Sequence, residues 1–243
     1  MAKLFEYTWI DADQKDWWES AFKANMRGYF TSHFFHLQIA KVLQQKLPLN
    51  GKFLEYGCGA GDLLTCLSNC KQLKLYGCAD EPSQVEITKQ RLQNQSNFVT
   101  AEVISDDFFN QYAHAFDIID LTHIWCNVPP AVEQEWLTKI LSLLAPSGYL
   151  CINDCTSFSL PQRDTLCPHC GAFFAHAPNA NFLNIKKVSN ILGSLGVKRI
   201  FSRPITMRLD YQSFKSYVLV TIWNRLFFKH RKQDHFMWIG QKA

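Results

Sequence analysis

The residues best suited to chemistry lie in one short segment, Phe53 to Leu64, which reads FLEYGCGAGDLL. Gly57, Gly59 and Gly61 take alternate positions directly after an apolar run. Glycine at this spacing lets the backbone adopt positive φ and lets a ligand approach it closely. The alternative reading is a tight strand-to-helix turn that needs glycine for its own geometry.

The residues around these glycines limit the classes of ligand that the loop could bind. A dinucleotide fingerprint needs a third glycine where this chain has Asp62, and a P-loop needs Lys and Ser or Thr directly after Gly61. A carboxylate at the start of a helix also disfavours pyrophosphate. Glu55 before the loop and Asp62 after it suit a ligand with an ammonium group, such as a nucleoside that bears an amino acid.

A second chemical segment contains a pair of cysteines. Cys167 and Cys170, in CPHCG, have the spacing of a zinc knuckle. The nearest candidates to complete a Cys3His set are Cys155, His169 and His176, of which we choose Cys155 and His176. We therefore predict a structural Zn²⁺, with ordinary thiols and redox or metalloid chemistry as the alternatives. The redox reading is disfavoured because the pair does not open a helix in a thioredoxin-like unit.

The elements that must position these residues alternate between strand and helix. The pattern predicts strands at 52–56, 72–78, 97–103, 116–121 and 149–153, with helices at 16–46, 62–69, 82–94 and 130–144. Such alternation is typical of a parallel sheet built from right-handed crossovers. The last part is less regular, with a helix at 185–194 and strands at 198–204 and 235–240.

Five motifs in order resemble those of the class I S-adenosylmethionine-dependent methyltransferases. The motifs are FLEYGCGAGDLL, YGCADEPSQVEITKQRL, NFVTAEV, FDIIDLTHIW and LLAPSGYLCIND. The resemblance implies an α/β fold with a doubly wound, mostly parallel seven-stranded sheet and helices on both faces. It also implies S-adenosylmethionine as methyl donor and S-adenosylhomocysteine as product.

The resemblance also implies roles for single residues. Glu55 and the glycine loop would hold the methionine part, Glu102 would lie near the adenine amino group, and Thr122 would contact the cofactor. One position departs from the family: Ala79 stands where an acid usually takes the ribose hydroxyls, so we assign that role to Asp80. The predicted cofactor-binding residues are Glu55, Gly57, Gly59, Gly61, Asp80, Glu102 and Thr122.

Two further residues are candidates for catalysis. His123 should emerge at the carboxyl end of the fourth strand, where doubly wound sheets bind ligands, and Asp154 follows the fifth strand. His123 could equally be a histidine packed under the cofactor. A base is needed only where the acceptor must lose a proton, because proximity supplies much of the rate.

We predict a single domain in four parts. They are an N-terminal helical cap (1–50), a cofactor-binding core (51–154), an insertion with the cysteine pair that acts as acceptor pocket or lid (155–184), and a C-terminal part (185–243) with an aromatic insertion (205–234). The basic end of that last insertion could lie on a membrane surface, but a core helix with a solvated end is favoured.

Composition excludes several classes. A net charge of +4 is too small to argue for nucleic acid, and 47% hydrophobic content with 19% charged residues argues against extended disorder. The N-terminus shows no export signal, so nine cysteines indicate reduced thiols or metal ligands in a cytoplasmic protein.

The sequence thus predicts methyl transfer to an oxygen or nitrogen of a small metabolite or biosynthetic intermediate. The Asn/Asp-Pro-Pro-aromatic signature of base and amide methylation is absent after the fourth strand. Two alternatives remain open. One is a non-catalytic module of the same fold with a zinc-stabilised interaction surface, and the other is a thiol-dependent metalloid methyltransferase using Cys155, Cys167 and Cys170.

Overall fold

The structure is a computed structural model, and it describes residues 29–125, 128–155, 183–205 and 235–243. The helices are α1 (Tyr29–Lys46), α2 (Asp62–Leu67), α3 (Pro82–Leu92), α4 (Asp106–Gln111), α5 (Glu133–Leu143) and α6 (Ile185–Ser194). The strands are β1 (Gly51–Tyr56), β2 (Leu73–Ala79), β3 (Phe98–Val103), β4 (Phe116–Thr122), β5 (Leu144–Cys155), β6 (Val197–Ile205) and β7 (His235–Lys242).

The seven strands form one sheet in the order β3-β2-β1-β4-β5-β7-β6. Strands β1 to β5 pair in parallel, whereas β7 runs antiparallel to both of its neighbours, β5 and β6. The sheet is therefore mixed, and the predicted mostly parallel sheet was wrong in this respect. The order reverses between β1 and β4, which is the switch point where sheets of this kind bind ligands.

Two apolar layers cover the sheet. One contains Phe53 and Ile118 of the sheet with residues of α1, α2 and α3, and the other contains Leu54 and Ile119 with residues of α4, α5 and α6. Neighbouring strand residues belong to opposite layers because side chains alternate across a strand. This alternation fixes which polar residues share a face near the strand ends.

Some element boundaries differ from the predicted ones. Helix α4 was not predicted, and β5 begins at Leu144, five residues before the predicted start. Within the described residues, α1 begins at Tyr29, so the predicted helical segment before it lies outside that part of the chain. The predicted insertion at 155–184 and the aromatic insertion at 205–234 also lie almost entirely outside it.

Among the helices that the structure describes, none is both long and apolar enough to cross a membrane.

Candidate active site

The loop after β1 folds over the end of β2. The backbone N–H groups of Gly57 and Cys58 both donate to the Cys78 carbonyl, at 2.8 and 2.9 Å. Gly57, Gly59 and Gly61 have φ of 79°, 51° and 70°, a region that side chains other than glycine disfavour. These φ values are those that the alternative reading, a tight strand-to-helix turn, requires, and ligand binding at the loop stays a prediction.

Gly57 also permits a close approach. A Cβ at this position would lie 2.1 Å from Cδ1 of Ile124, which follows β4. The loops after β1 and β4 are thus in contact at the switch point of the sheet. A backbone cradle that only glycine can form is present where the sequence predicts a ligand.

Helix α3 holds this loop from behind. Thr88 Oγ1 donates to the Gly59 carbonyl at 2.9 Å, and Arg91 Nη1 donates to the Ala60 carbonyl at 3.0 Å. The same Arg91 nitrogen lies 2.7 Å from Asp62 Oδ1 in an ion pair. Asp62 is therefore already paired with a cation, and Glu55 is the carboxylate of the flanking pair that remains for a ligand.

Glu55 lies at the end of β1 and is only 4% exposed. The Leu64 backbone N–H donates to its Oε2 at 3.3 Å, which ties the strand to the start of α2. Burial raises the pKa of Glu55, and the nearby carboxylates of Asp120 and Asp62 raise it further. The site thus contains a buried carboxyl group that a positive charge would stabilise in its ionised form.

Asp120 is a second buried carboxyl group, and it is not among the residues that the sequence analysis selected. It is 0% exposed and lies opposite Glu55 in the pairing of β4 with β1. Thr122 Oγ1 donates to Asp120 Oδ2 at 2.6 Å. Burial raises the pKa of Asp120 to about 7, although the hydrogen bonds from Thr122 oppose the shift. The available signal was a carboxylate inside the apolar run FDIIDL.

His123 directly follows β4, as the sequence predicted. Its φ is 56°, an uncommon value for a side chain other than glycine. Its backbone N–H donates to the Asn153 carbonyl at 2.9 Å, which fixes the bend to the end of β5. Such backbone conformations persist where the surrounding structure enforces them, and they cluster at functional sites.

Asn153 and Asp154 both end β5, but they occupy opposite faces of the sheet. Asn153 lies opposite Thr122 in the pairing with β4 and shares the face of Asp120. Asn153 is 0% exposed, and within the described residues neither its Nδ2 nor its Oδ1 has a hydrogen-bond partner. Asp154 is equally buried, on the face of Ile152. Sequence reasoning chose Asp154 and missed Asn153.

The residues predicted for ribose and adenine lie on the other side of the loop. Asp80 follows the last residue of β2, and the buried Glu81 comes next as the cap residue of α3. Glu102 lies inside β3, and Tyr112 donates a hydrogen bond of 2.5 Å to its Oε1. Burial and this bond raise the pKa of Tyr112. Glu102 therefore already has one partner within the fold.

The predicted zinc ligands fall almost wholly outside the described chain. Cys167, Cys170 and His176 lie in the undescribed range 156–182, and the side chain of Cys155 is not described either. In the described ranges, no group of three or more His, Cys, Asp or Glu residues could hold a metal ion. The zinc site stays a prediction without structural support.

The fold and this site together indicate the class of protein to which the chain belongs. A parallel core β3-β2-β1-β4-β5 with a glycine loop and a buried acid at the switch point is a Rossmann-like fold suited to a nucleoside cofactor. Residues 22–197 match the model of the family described as "Methyltransferase domain". The chain therefore belongs to this methyltransferase-domain family.

Solved structures show the same fold. A methyltransferase from Methanosarcina mazei has a TM-score of 0.57 at 16% identity, over 83% of this chain and 97% of its own. One from Aquifex aeolicus has a TM-score of 0.56 at 15% identity, over 84% and 88%. Phosphoethanolamine N-methyltransferase 2 of Haemonchus contortus, in complex with S-adenosyl-L-methionine, gives 0.58 at 15%, over 85% of this chain and 52% of its own. A comparison with curated protein sequences finds no match.

Proposed function

We propose that this methyltransferase acts on an oxygen or nitrogen of a small molecule, which binds at the carboxyl ends of β4 and β5. The observation that carries the proposal concerns the fully buried side chain of Asn153. Among the described residues, neither of its polar atoms has a hydrogen-bond partner. Leaving such a group unsatisfied costs about 1–3 kcal/mol. A ligand that offers both a donor and an acceptor would remove that cost.

The chemistry of an amide favours this kind of acceptor. Asn153 donates through Nδ2 and accepts through Oδ1, which complements a hydroxyl or an amine with a neighbouring oxygen. The site is also buried, which suits a small molecule better than the side chain of a large partner. Asn153 lies on β5, one strand further from the glycine loop than Thr122.

The residues of the loop fit the predicted cofactor. Glu55 and the backbone of Gly57, Gly59 and Gly61 would hold the methionine part, and Thr122 would border it. S-adenosylmethionine supplies a methyl group that its sulfonium already activates. Since Asp62 is engaged by Arg91, Glu55 is our choice for the ammonium group.

The ribose and adenine contacts stay proposals. Asp80 is the predicted ribose ligand, and Glu81 beside it is a second acid at the same turn. Because Tyr112 already donates to Oε1 of Glu102, adenine would bind through the other carboxylate oxygen, Oε2, or share Oε1.

His123 is the proposed base for acceptors that must lose a proton. The bend at φ 56° brings its backbone to the end of β5, next to Asn153. The role of Asp154 as a second polar group at the acceptor also stays a prediction. The comparisons support neither the non-catalytic module nor the metalloid enzyme.

Substitution of Asn153 tests the acceptor site. We expect Asn153→Leu to lower kcat/KM for the acceptor about 10- to 100-fold, the effect of one or two lost hydrogen bonds. The dissociation constant for S-adenosylhomocysteine should change less than about twofold, because Asn153 lies away from the glycine loop. The acceptor is found first, by screening amines and hydroxyl compounds for formation of S-adenosylhomocysteine.

The same substitution at an exposed position serves as the control for non-specific effects of an Asn-to-Leu change. Asn110 on α4 is exposed, so Asn110→Leu should leave both constants unchanged. An equal loss of cofactor binding in Asn153→Leu would contradict the acceptor role. If the wild type forms no S-adenosylhomocysteine with any oxygen or nitrogen acceptor, the proposed acceptor class is wrong.

A further inference from the structure

Two buried carboxyl groups lie side by side under the glycine loop. Glu55 of β1 and Asp120 of β4 are partners in the parallel register, and they are 4% and 0% exposed. Because paired residues on one face of a sheet lie close together, their charges repel each other. The Asp120 carboxylate is the largest source, after burial, of the raised pKa of Glu55.

The described surroundings do not neutralise this pair. Arg91 is the cation that acts on Glu55, and it is engaged in the 2.7 Å ion pair with Asp62. The thiols that also interact with the two acids are those of Cys58, Cys66, Cys78 and Cys151. Burial raises the pKa of all four thiols, so they are uncharged near neutral pH.

The two carboxylate oxygens of Asp120 differ in their hydrogen bonding. Thr122 donates to Oδ2, while the buried Oδ1 accepts no hydrogen bond from the part of the chain that the structure describes. Glu55 likewise receives the Leu64 N–H at Oε2. The pair therefore offers acceptor capacity to a donor that carries positive charge.

We propose that Asp120 is a cofactor-binding residue that, together with Glu55, binds the α-ammonium group of the cofactor's methionine part, and that this binding releases a proton. The inference rests on the proposed function, which assigns Glu55 to the methionine part. It adds a second carboxylate that sequence reasoning did not select. It also makes cofactor affinity depend on pH.

The proton balance follows from the geometry. Two adjacent buried carboxyl groups without a cation retain a proton near neutral pH, and burial raises the pKa of Asp120 to about 7. An ammonium group nearby stabilises both carboxylates in their ionised form. The proton leaves the carboxyl oxygen for the solvent, and no other bond forms or breaks.

The affinity for the cofactor depends on the protonation of the free protein. Below about pH 7 the free protein holds the proton that binding must expel, so affinity falls as pH falls. For one proton released, the dissociation constant rises about tenfold for each pH unit in this range. Above that range Asp120 is already ionised, and its contribution to the pH dependence disappears.

Calorimetry with two ligands isolates the ammonium group. S-adenosylhomocysteine carries the amino acid, whereas 5′-methylthioadenosine has the same nucleoside without it. Titrations at pH 6.5 in two buffers of different ionisation enthalpy give the number of protons released. We expect release of between about 0.5 and 1 proton with S-adenosylhomocysteine and close to none with 5′-methylthioadenosine.

Variants assign the proton to Asp120. Asp120→Asn should release fewer protons on binding S-adenosylhomocysteine than the wild type, and its dissociation constant should change less between pH 5.5 and 7.5, because Glu55 is then the one acid of the pair that remains. Asp107→Asn, an exposed residue on α4, should behave as the wild type. If His123 were the source, the release would persist in Asp120→Asn.

The outcomes separate the inference from the function on which it rests. Binding of S-adenosylhomocysteine without proton release, or with equal release for both ligands, overturns the inference and leaves the cofactor site intact. Absence of binding at every pH sinks the proposed cofactor site as well. If Asp120→Asn does not fold, the comparison of the two ligands on the wild type and on Glu55→Gln still decides.

Discussion

At the scale of single residues, two separate features of position 57 favour glycine. Its φ of 79° disfavours other residues, and a Cβ would lie 2.1 Å from Ile124 Cδ1. Gly196 has nearly the same φ, 80°, but a Cβ there would meet nothing within 4 Å. The two glycines therefore separate backbone strain from steric contact at the site.

We expect Gly57→Ala to weaken binding of S-adenosylhomocysteine, because a φ of 79° is strained for alanine and its Cβ would displace the Ile124 side chain. Gly196→Ala should cost about 1–2 kcal/mol of unfolding free energy, the strain of a left-handed residue, and bind normally. Thermal unfolding and calorimetric titration of both variants measure these effects. Normal binding by Gly57→Ala would show that the loop does not form the cradle.

Asp120 links the fold itself to pH. Its pKa rises from 3.8 in the unfolded chain to about 7 in the fold, so the folded state binds the proton more tightly. Ionisation of Asp120 therefore destabilises the free protein as pH rises from about 4 to about 7, and the loss is complete above that range. Asparagine resembles the protonated acid at every pH.

The stability of Asp120→Asn relative to the wild type should therefore be greater at pH 8 than at pH 5. We expect a difference of at least about 1.4 kcal/mol, the equivalent of one pKa unit. Urea unfolding at the two pH values measures it, with the exposed Asp107→Asn as the matched control. A variant whose relative stability is the same at both pH values would contradict the raised pKa.

At the scale of elements, one arginine joins α2, α3 and the glycine loop. Arg91 of α3 lies 2.7 Å from Asp62 at the start of α2 and donates to the Ala60 carbonyl at 3.0 Å. Both side chains of the ion pair are largely buried, at 20% and 19% exposure. Removal of a buried cation leaves its partners unpaired, so it should lower the free energy of unfolding more than loss of an exposed ion pair does.

We expect Arg91→Met to lower the unfolding free energy by about 1–3 kcal/mol and to weaken S-adenosylhomocysteine binding several-fold, because the loop loses its support. The ion pair of Lys139 with Asp106 joins α5 to α4 at 3.1 Å, and Asp106 is 59% exposed there. Asp106→Asn should therefore cost less than about 1 kcal/mol. Equal losses for the two variants would argue against a special role for Arg91.

The sequence predicted the elements that position the site better than it predicted their ends. Strand β1 and the glycine loop follow from an apolar run and three glycines, which are local signals. Helix α4 has only six residues, too few for a helical period, although Ser105 Oγ accepts the Phe108 N–H as a capping residue does. The capping residue Ser105 was therefore the sequence signal from which α4 could have been predicted.

The pairing of Glu55 with Asp120 could not be predicted from either strand alone. Each residue has a face that alternation reveals, but the register between β1 and β4 depends on the whole sheet. The same limit applies to β7, because its direction depends on the long connection from β6. The choice between Asn153 and Asp154 needed the register of β5 with β4.

At the scale of the whole molecule, the last strand completes the sheet. Strand β7 lies between β5 and β6, and in the described sheet β6 pairs with no other strand. Trp238 of β7 is 0% exposed, and its Nε1 donates to Ser189 Oγ of α6 at 3.0 Å. Lys242 Nζ donates to the Leu141 and Leu144 carbonyls at 2.8 and 3.0 Å.

Removal of residues 235–243 should therefore abolish cooperative unfolding, because β6 loses its strand neighbour in the described sheet and α6 loses the hydrogen bond from Trp238. Burial of one large aromatic residue alone is worth about 3–5 kcal/mol, comparable to the whole stability of many domains. Removal of Ala243 alone takes away one hydrogen bond, from its N–H to the Gly196 carbonyl at 2.9 Å, and should cost about 1 kcal/mol. Circular dichroism during heating distinguishes the two. A truncated chain that still melts cooperatively within a few degrees of the full chain would mean that β1 to β5 fold without the C-terminal strand pair.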